Sequence, residues 1–261
     1  MATDPMWISL SGCDNIRDLA GLPMASGART RAGVLLRSDA PDDVTPDDID
    51  ILRKRYDLAL VVDLRSEFEQ AEGSALEAAG VTTLRWPLSA HLDSEDVVSS
   101  TRPAQQAAWT EDHADEYFEA IYLRIVELFR PHAVELLERL VAGTGATLVH
   151  CAGGKDRTGV IVSLLLLAAG VDRAAVVADY AVSDLRMDRL NERVRARGTG
   201  PYEADQFPEV LMRVRASTID RLLTALEAGY GDIRAWWLAA GATPEQLGAW
   251  QARLAAAEGS L

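Results

Sequence analysis

The chain has 261 residues, 48% of them hydrophobic and 25% charged, and carries a net charge of −14 from 26 basic and 40 acidic side chains. That length can bury a sizeable core, and the acidic balance excludes the basic footprint of a nucleic-acid binder. Only two cysteines are present, Cys13 and Cys151, too few for a disulfide framework or a cysteine metal cluster.

The N-terminal MATDPMWISL lacks a basic region followed by an apolar core, so no secretory signal is expected. No apolar run reaches the roughly 18 residues that a membrane-spanning helix needs. These features read as a soluble, cytoplasmic protein, with export without a recognisable signal left open. GVLLRS (33–38) and LALVVDLRS (58–66) are Val- and Leu-rich and end in polar turns, as strands do. Between them, TPDDIDILRKRY predicts a helix with Thr45 as N-cap, Pro46 at the first helical position and acids in the first turn. VTTLRWPL (81–88) predicts a third strand. Residues 89–114 are polar and irregular, and the amphipathic DEYFEAIYLRIVELFR follows. This region, about 89–130, reads either as an insertion that covers a pocket or as a solvated connection.

GATLVHC (145–151) is an apolar run that ends abruptly in the charged, glycine-rich AGGKDRTG. Residues 160–169 are apolar nearly all round, which predicts a central buried helix with Gly170 as its stop. Further helices are expected at 172–197, 215–228, 231–240 and 244–257, with Trp236 and Trp237 as packing residues.

A strand, a glycine-rich turn and a helix N-terminus make an anion site, because free backbone N–H groups converge there and the helix dipole adds positive potential. Gly153 and Gly154 let the backbone curl, and Arg157 offers a planar fork to two phosphate oxygens. Five residues separate Cys151 from Arg157, so the loop can wrap one tetrahedral anion with the sulfur beneath it. The same field stabilises a thiolate, which points to nucleophilic attack on phosphorus. A Walker nucleotide loop fails on spacing, since Lys155 is followed by Asp156 rather than Ser or Thr. A metal site has no ligand cluster to support it. A merely structural cysteine leaves the Lys-Asp-Arg trio unexplained.

HCAGGKDRTG resembles the His-Cys, five-residue, Arg, Ser/Thr loop of the cysteine-dependent protein tyrosine phosphatase superfamily, and its ending resembles the bacterial tyrosine/serine phosphatases. NIRDLAG (15–21), LLRSDA, VVDLRSEFE, VADYAVSD and the terminal YGDIRAWWLAAGATPEQLGAWQARL resemble further segments of that family, so the likeness spans nearly the whole chain. It implies a single α/β phosphatase domain over 1–261, with a short, mostly parallel sheet flanked by helices and a helical insertion. It also implies phosphomonoester hydrolysis without metal or other cofactor, on phosphorylated proteins or peptides, chiefly at tyrosine and also at Ser/Thr. A phosphoinositide phosphatase and a phosphate-binding pseudoenzyme are the alternatives.

By the same resemblance Cys151 is the nucleophile, and Arg157 binds the phosphoryl oxygens. The amides from Ala152 through Gly153, Gly154, Lys155 and Asp156 to Arg157 complete the cradle. Thr158 bonds the sulfur and His150 shapes the thiolate's surroundings. Lys155 either contacts a second phosphate or simply raises the local potential. Many relatives carry their general acid in a Trp-Pro-Asp loop, but here RWPLSAHLD puts Leu88 at that place. Asp156 is the expected replacement, with Asp93 as the alternative. Asp63 and Arg65 are read as orienting Arg157, as lining the pocket or, preferably, as a pair holding the Asn15–Asp18 segment. Cys13 is either a packing residue or a redox partner of Cys151.

Overall fold

In this computed structural model, which describes residues 6–70, 74–88, 109–197 and 208–256, six strands form one sheet. They are β1 Met6–Trp7, β2 Arg17–Asp18, β3 Leu35–Ser38, β4 Leu58–Asp63, β5 Thr82–Arg85 and β6 Ala146–His150. Their spatial order is β1-β2-β3-β6-β4-β5. The β1–β2 and β2–β3 pairs are antiparallel, and the other three pairs are parallel. All four strands expected from apolar runs are present, each shorter than its run. Every residue of β6 is buried, as expected for a central parallel strand covered on both faces. His150 lies in register with Ser38 on one side and Asp63 on the other, so three strands end together. The crevice beyond the carboxyl ends of parallel strands is where ligands bind in open α/β sheets.

Eleven helices are present among the described residues: α1 Pro46–Tyr56, α2 Ala75–Ala78, α3 Glu111–Phe129, α4 Ala133–Ala142, α5 Asp156–Ala168, α6 Arg173–Val182, α7 Met187–Arg197, α8 Glu209–Met212, α9 Ala216–Tyr230, α10 Ile233–Ala239 and α11 Pro244–Leu254. Thr45 and Asp48 form a reciprocal capping box on α1, with Pro46 in the first turn. α5 is buried nearly throughout. The indole N–H groups of Trp237 and Trp250 donate to its Leu164 and Leu165 carbonyls at 3.1 and 2.9 Å. Trp236 and Trp237 are core residues, as expected.

One expectation needs correction. The single helix foreseen at 172–197 divides into α6 and α7 around a 3₁₀ turn, Ser183–Arg186. Arg17 reaches across from β2 and donates to the Asp179 carbonyl at 2.7 Å and to Ser183 Oγ at 3.0 Å. Engaging that carbonyl favours the tighter turn. In α3, Ala114, Phe118, Ile121, Tyr122, Ile125, Val126 and Phe129 are all buried. The polar stretch 89–108 lies outside the described residues. No helix among the described residues is long and apolar enough to cross a membrane.

Candidate active site

Cys151 directly follows β6 and is 2% exposed. From there to the start of α5 the chain forms a loop whose carbonyls are drawn to its outer side. The His150 carbonyl accepts from the Leu64 N–H and the Ala152 carbonyl from the Ala40 N–H, both at 3.0 Å. The Cys151 carbonyl accepts from His150 Nδ1 at 3.3 Å. Asn15 Nδ2 donates to the Gly153 and Gly154 carbonyls at 3.1 and 3.2 Å, and Arg37 Nη2 adds a bond to Gly154 at 2.8 Å. In a planar trans peptide the N–H points away from the carbonyl. With these carbonyls turned outward, the amides of 151–155 face the inside of the loop, where the α5 dipole also acts.

Gly154 makes this turn feasible. Its φ is +65°, and a Cβ there would lie 2.5 Å from the Asp39 amide nitrogen and the Ser38 carbonyl carbon. Both are backbone atoms that cannot rotate aside. Gly154→Ala is therefore expected to cost on the order of 3 kcal/mol and to lower Tm by about 6–12 °C. Thermal unfolding of the variant checks this, and an unchanged Tm contradicts the close approach.

Behind the loop lies a buried charge network. Arg17 and Arg37 are register partners across β2 and β3. Asp179 of α6 sits between them, accepting from Arg17 Nε at 2.8 Å and from Arg37 Nη1 at 2.7 Å. Burial works against an ionised Asp179, but the two guanidiniums hold its carboxyl below the ordinary range. Arg17 Nη1 also donates to Asn15 Oδ1 at 2.7 Å, which leaves the Asn15 amide nitrogen to face the loop. Asp39, fully buried, accepts the N–H groups of Asp14 and Asn15 and pairs with Arg193 of α7.

Arg157 lies in the first turn of α5. Its two terminal nitrogens bind the two oxygens of Glu69 at 2.6 Å each, and Nη1 reaches the Leu64 carbonyl at 3.3 Å. Burial opposes its charge, but Glu69, Cys151 and Asp156 together push Arg157 above its ordinary value. Burial likewise opposes an ionised Glu69, yet Arg157 and Ser66 hold its carboxyl below the usual range. This bidentate clamp aims the guanidinium.

Asp156, the first residue of α5, accepts from the Tyr122 hydroxyl at 2.6 Å. Lys155 Nζ lies 3.3 Å from Asp156 and from the Leu211 carbonyl, and 4.9 Å from the Phe118 ring centroid. Thr158 is fully buried, and its hydroxyl has no hydrogen-bond partner among the described residues. The expected bond from Thr158 to the Cys151 sulfur is thus not formed here. An orphaned buried hydroxyl is uncommon, and this one lies in the first turn of α5.

Asp63 and Arg65 do not hold the Asn15–Asp18 segment. They pair with each other at 2.8 Å, and Arg65 adds a bidentate bond to Asp42 at 2.8 and 3.0 Å. Asp63 also lies 3.7 Å from His150 Nε2. Burial pushes His150 below its ordinary value despite that carboxylate, and its Nδ1 faces the Cys151 carbonyl. The Asn15–Asp18 segment is held instead by Asp39, Asp179 and the loop carbonyls. Leu88 is 2% exposed in the apolar core, and Asp93 lies outside the described residues. Cys13 belongs to the smaller apolar cluster and Cys151 to the larger one. Burial, reinforced by Asp39, pushes the Cys13 thiol far up, and its side chain packs in the smaller cluster.

The sequence segments that converge on this loop are the same ones that matched a phosphatase pattern, and a model of the tyrosine phosphatase family covers residues 8–256. The chain belongs to the tyrosine phosphatase family. This phosphatase is 33% identical over 219 residues to the "Putative tyrosine-protein phosphatase" of Cupriavidus necator, covering 84% of this chain and 78% of that protein. It is 30% identical over 236 residues to the triple specificity protein phosphatase PtpB of Mycobacterium tuberculosis, covering 82% of each. A tyrosine-protein phosphatase of Nostoc commune matches 48% of this chain and 45% of its own length at 31% identity.

The sequence reading missed Asn15, Arg37, Glu69, Asp179, Tyr122 and Tyr180 as site residues. Five of them lie in segments it had likened to the family. Tyr122 lies in a helix whose apolar periodicity hides one polar atom.

Proposed function

We propose that this phosphatase hydrolyses phosphomonoesters, phosphotyrosine in proteins and peptides first among them, through a cysteinyl-phosphate intermediate formed on Cys151. The observation that carries this reading is the outward pinning of the loop carbonyls, which aims the amides at one point above a strand-end cysteine. A phosphoryl group seated there meets the amides of Ala152 to Arg157 and the Arg157 fork. Cys151 Sγ attacks phosphorus, the bond to the leaving oxygen breaks, and Asp156 supplies that oxygen with a proton. Water then attacks the phosphocysteine, Asp156 takes a proton from it, and the thiolate departs as phosphate forms. Thr158 donates its free hydroxyl to the sulfur while the sulfur is charged. The triple specificity in the mycobacterial relative's name supports activity beyond phosphotyrosine, on phosphoserine and phosphothreonine, and the Lys155 ammonium beside the loop supports a secondary activity on phosphoinositides.

Turnover of p-nitrophenyl phosphate and of a phosphotyrosine peptide is expected to persist in excess chelator. A rapid denaturing quench with ³²P-labelled substrate should leave label on the protein. Loss of activity in chelator with recovery on adding a divalent cation, or a quench without labelled protein, contradicts the mechanism.

A further inference from the structure

Two buried phenols end at the rim of the phosphate loop. The Tyr122 hydroxyl on α3 lies 2.6 Å from Asp156 Oδ1 and 2.6 Å from the Tyr180 hydroxyl on α6. The two rings meet edge to face, with centroids 6.3 Å apart at 78°. Tyr122 is fully buried and Tyr180 2% exposed. Each hydroxyl has one hydrogen, so with Asp156 ionised the chain has one direction: Tyr180 donates to Tyr122, and Tyr122 donates to Asp156. Burial, with Asp156 reinforcing it, pushes both phenols far above their ordinary value, so each keeps its proton, and Tyr122 accepts from Tyr180 while donating to Asp156.

Packing alone does not call for these hydroxyls. Two phenylalanines would fill the same space with no polar atom to satisfy, and such a paired replacement is usually near neutral. The seat for Tyr180 also carries a cost. Gly159 lies inside α5, where glycine is less favourable than alanine. A Cβ there would sit 2.7 Å from Tyr180 Cδ2. The glycine that follows Thr158 thus makes room for the ring whose hydroxyl backs Tyr122.

We infer that Tyr122, backed by Tyr180, is a positioning residue for the acid–base step: it fixes the Asp156 carboxyl by occupying Oδ1, so that the transferred proton rides on Oδ2. This inference rests on the reading of Asp156 as the general acid. In the forward step the Asp156 O–H bond breaks as the leaving oxygen takes the proton, and Asp156 is left as a carboxylate. In the return step a proton from the attacking water restores it. The phenols exchange no proton in either step.

The test measures kcat and KM for Tyr122→Phe, Asp156→Asn and the double variant on phenyl phosphate and p-nitrophenyl phosphate, with Tm recorded for each. Tyr122→Phe is expected to lower kcat about tenfold on phenyl phosphate, which needs its leaving oxygen protonated, and by less than about threefold on p-nitrophenyl phosphate. KM should stay within twofold, and the double variant should be no slower than Asp156→Asn alone. Tyr180→Phe leaves the Tyr122–Asp156 bond in place and should show the same leaving-group pattern in weaker form. Equal losses on both substrates, or a further loss from Tyr122→Phe in the Asp156→Asn background, overturns the positioning role while leaving Asp156 as acid. Near-normal turnover of Asp156→Asn on phenyl phosphate removes the acid assignment itself, and the inference with it.

Discussion

Replacing Cys151 by serine is expected to lower kcat by on the order of 10⁵–10⁶-fold, the scale on which an enzyme loses its nucleophile, while vanadate or phosphate still binds within a few-fold of the wild-type affinity. The two halves of this result have separate causes. Attack on phosphorus needs a nucleophile that is ionised and soft, and a serine hydroxyl at neutral pH is neither. Anion binding depends on the amides and on Arg157, and their placement does not involve the sulfur. The carbonyls that aim those amides are held by Leu64, Ala40, Asn15 and Arg37. Arg157 is aimed by Glu69. Serine is close to cysteine in size, so the 2% exposed site is neither emptied nor overfilled. Isothermal titration with vanadate beside steady-state turnover checks both halves. Residual turnover within tenfold of wild type would move the nucleophile elsewhere. Cys13 offers no substitute, since it is buried in the other apolar cluster.

How much of this site a sequence can disclose depends on whether a residue acts within its own segment or across the fold. The strand at Ala146–His150, the glycine turn and the helix behind it are consecutive in sequence, so their chemistry is legible from composition and order. Thr45 and Pro46 were legible for the same reason, because a helix cap is a local device. Glu69 is not: its bond to Arg157 spans 88 positions and depends on β4 lying beside β6. Asp179 looked like one more polar residue of a helix until Arg17 and Arg37 became register partners. Tyr122 sits among apolar residues at helical spacing, and its ring satisfies that pattern whatever its hydroxyl does. The pairing of Asp63 and Arg65 was legible as a pair, but its address was misjudged. No local signal in the sequence says which segment the pair faces, and the β4 register sets Asp63 against His150. β1 and β2, two residues each, are too short to show any period.

The acid offers the second large effect, and Leu88 shows why the proton must come from elsewhere. Its side chain is apolar and buried in the core, so the strand end that carries the donor in many relatives offers none here. Asp156 stands one residue before Arg157 on the same helix turn, with its side chain partly exposed. Lys155 lies 3.3 Å from it, and the Tyr122 hydroxyl donates to it at 2.6 Å. On the proposed mechanism Asp156 hands its proton to the leaving oxygen as the P–O bond breaks. Asp156→Asn keeps the shape and removes the transferable proton. It is expected to lower kcat about 10²–10⁴-fold on phosphotyrosine peptides, with a smaller loss on p-nitrophenyl phosphate, whose phenolate leaves with little help. KM should change little, because the amides and Arg157 are untouched. The comparison that decides is kcat for the two leaving groups in wild type and variant. A uniform loss would make Asp156 a structural cap of α5, and no loss would place the donor outside the residues described, where Asp93 is the candidate to replace next.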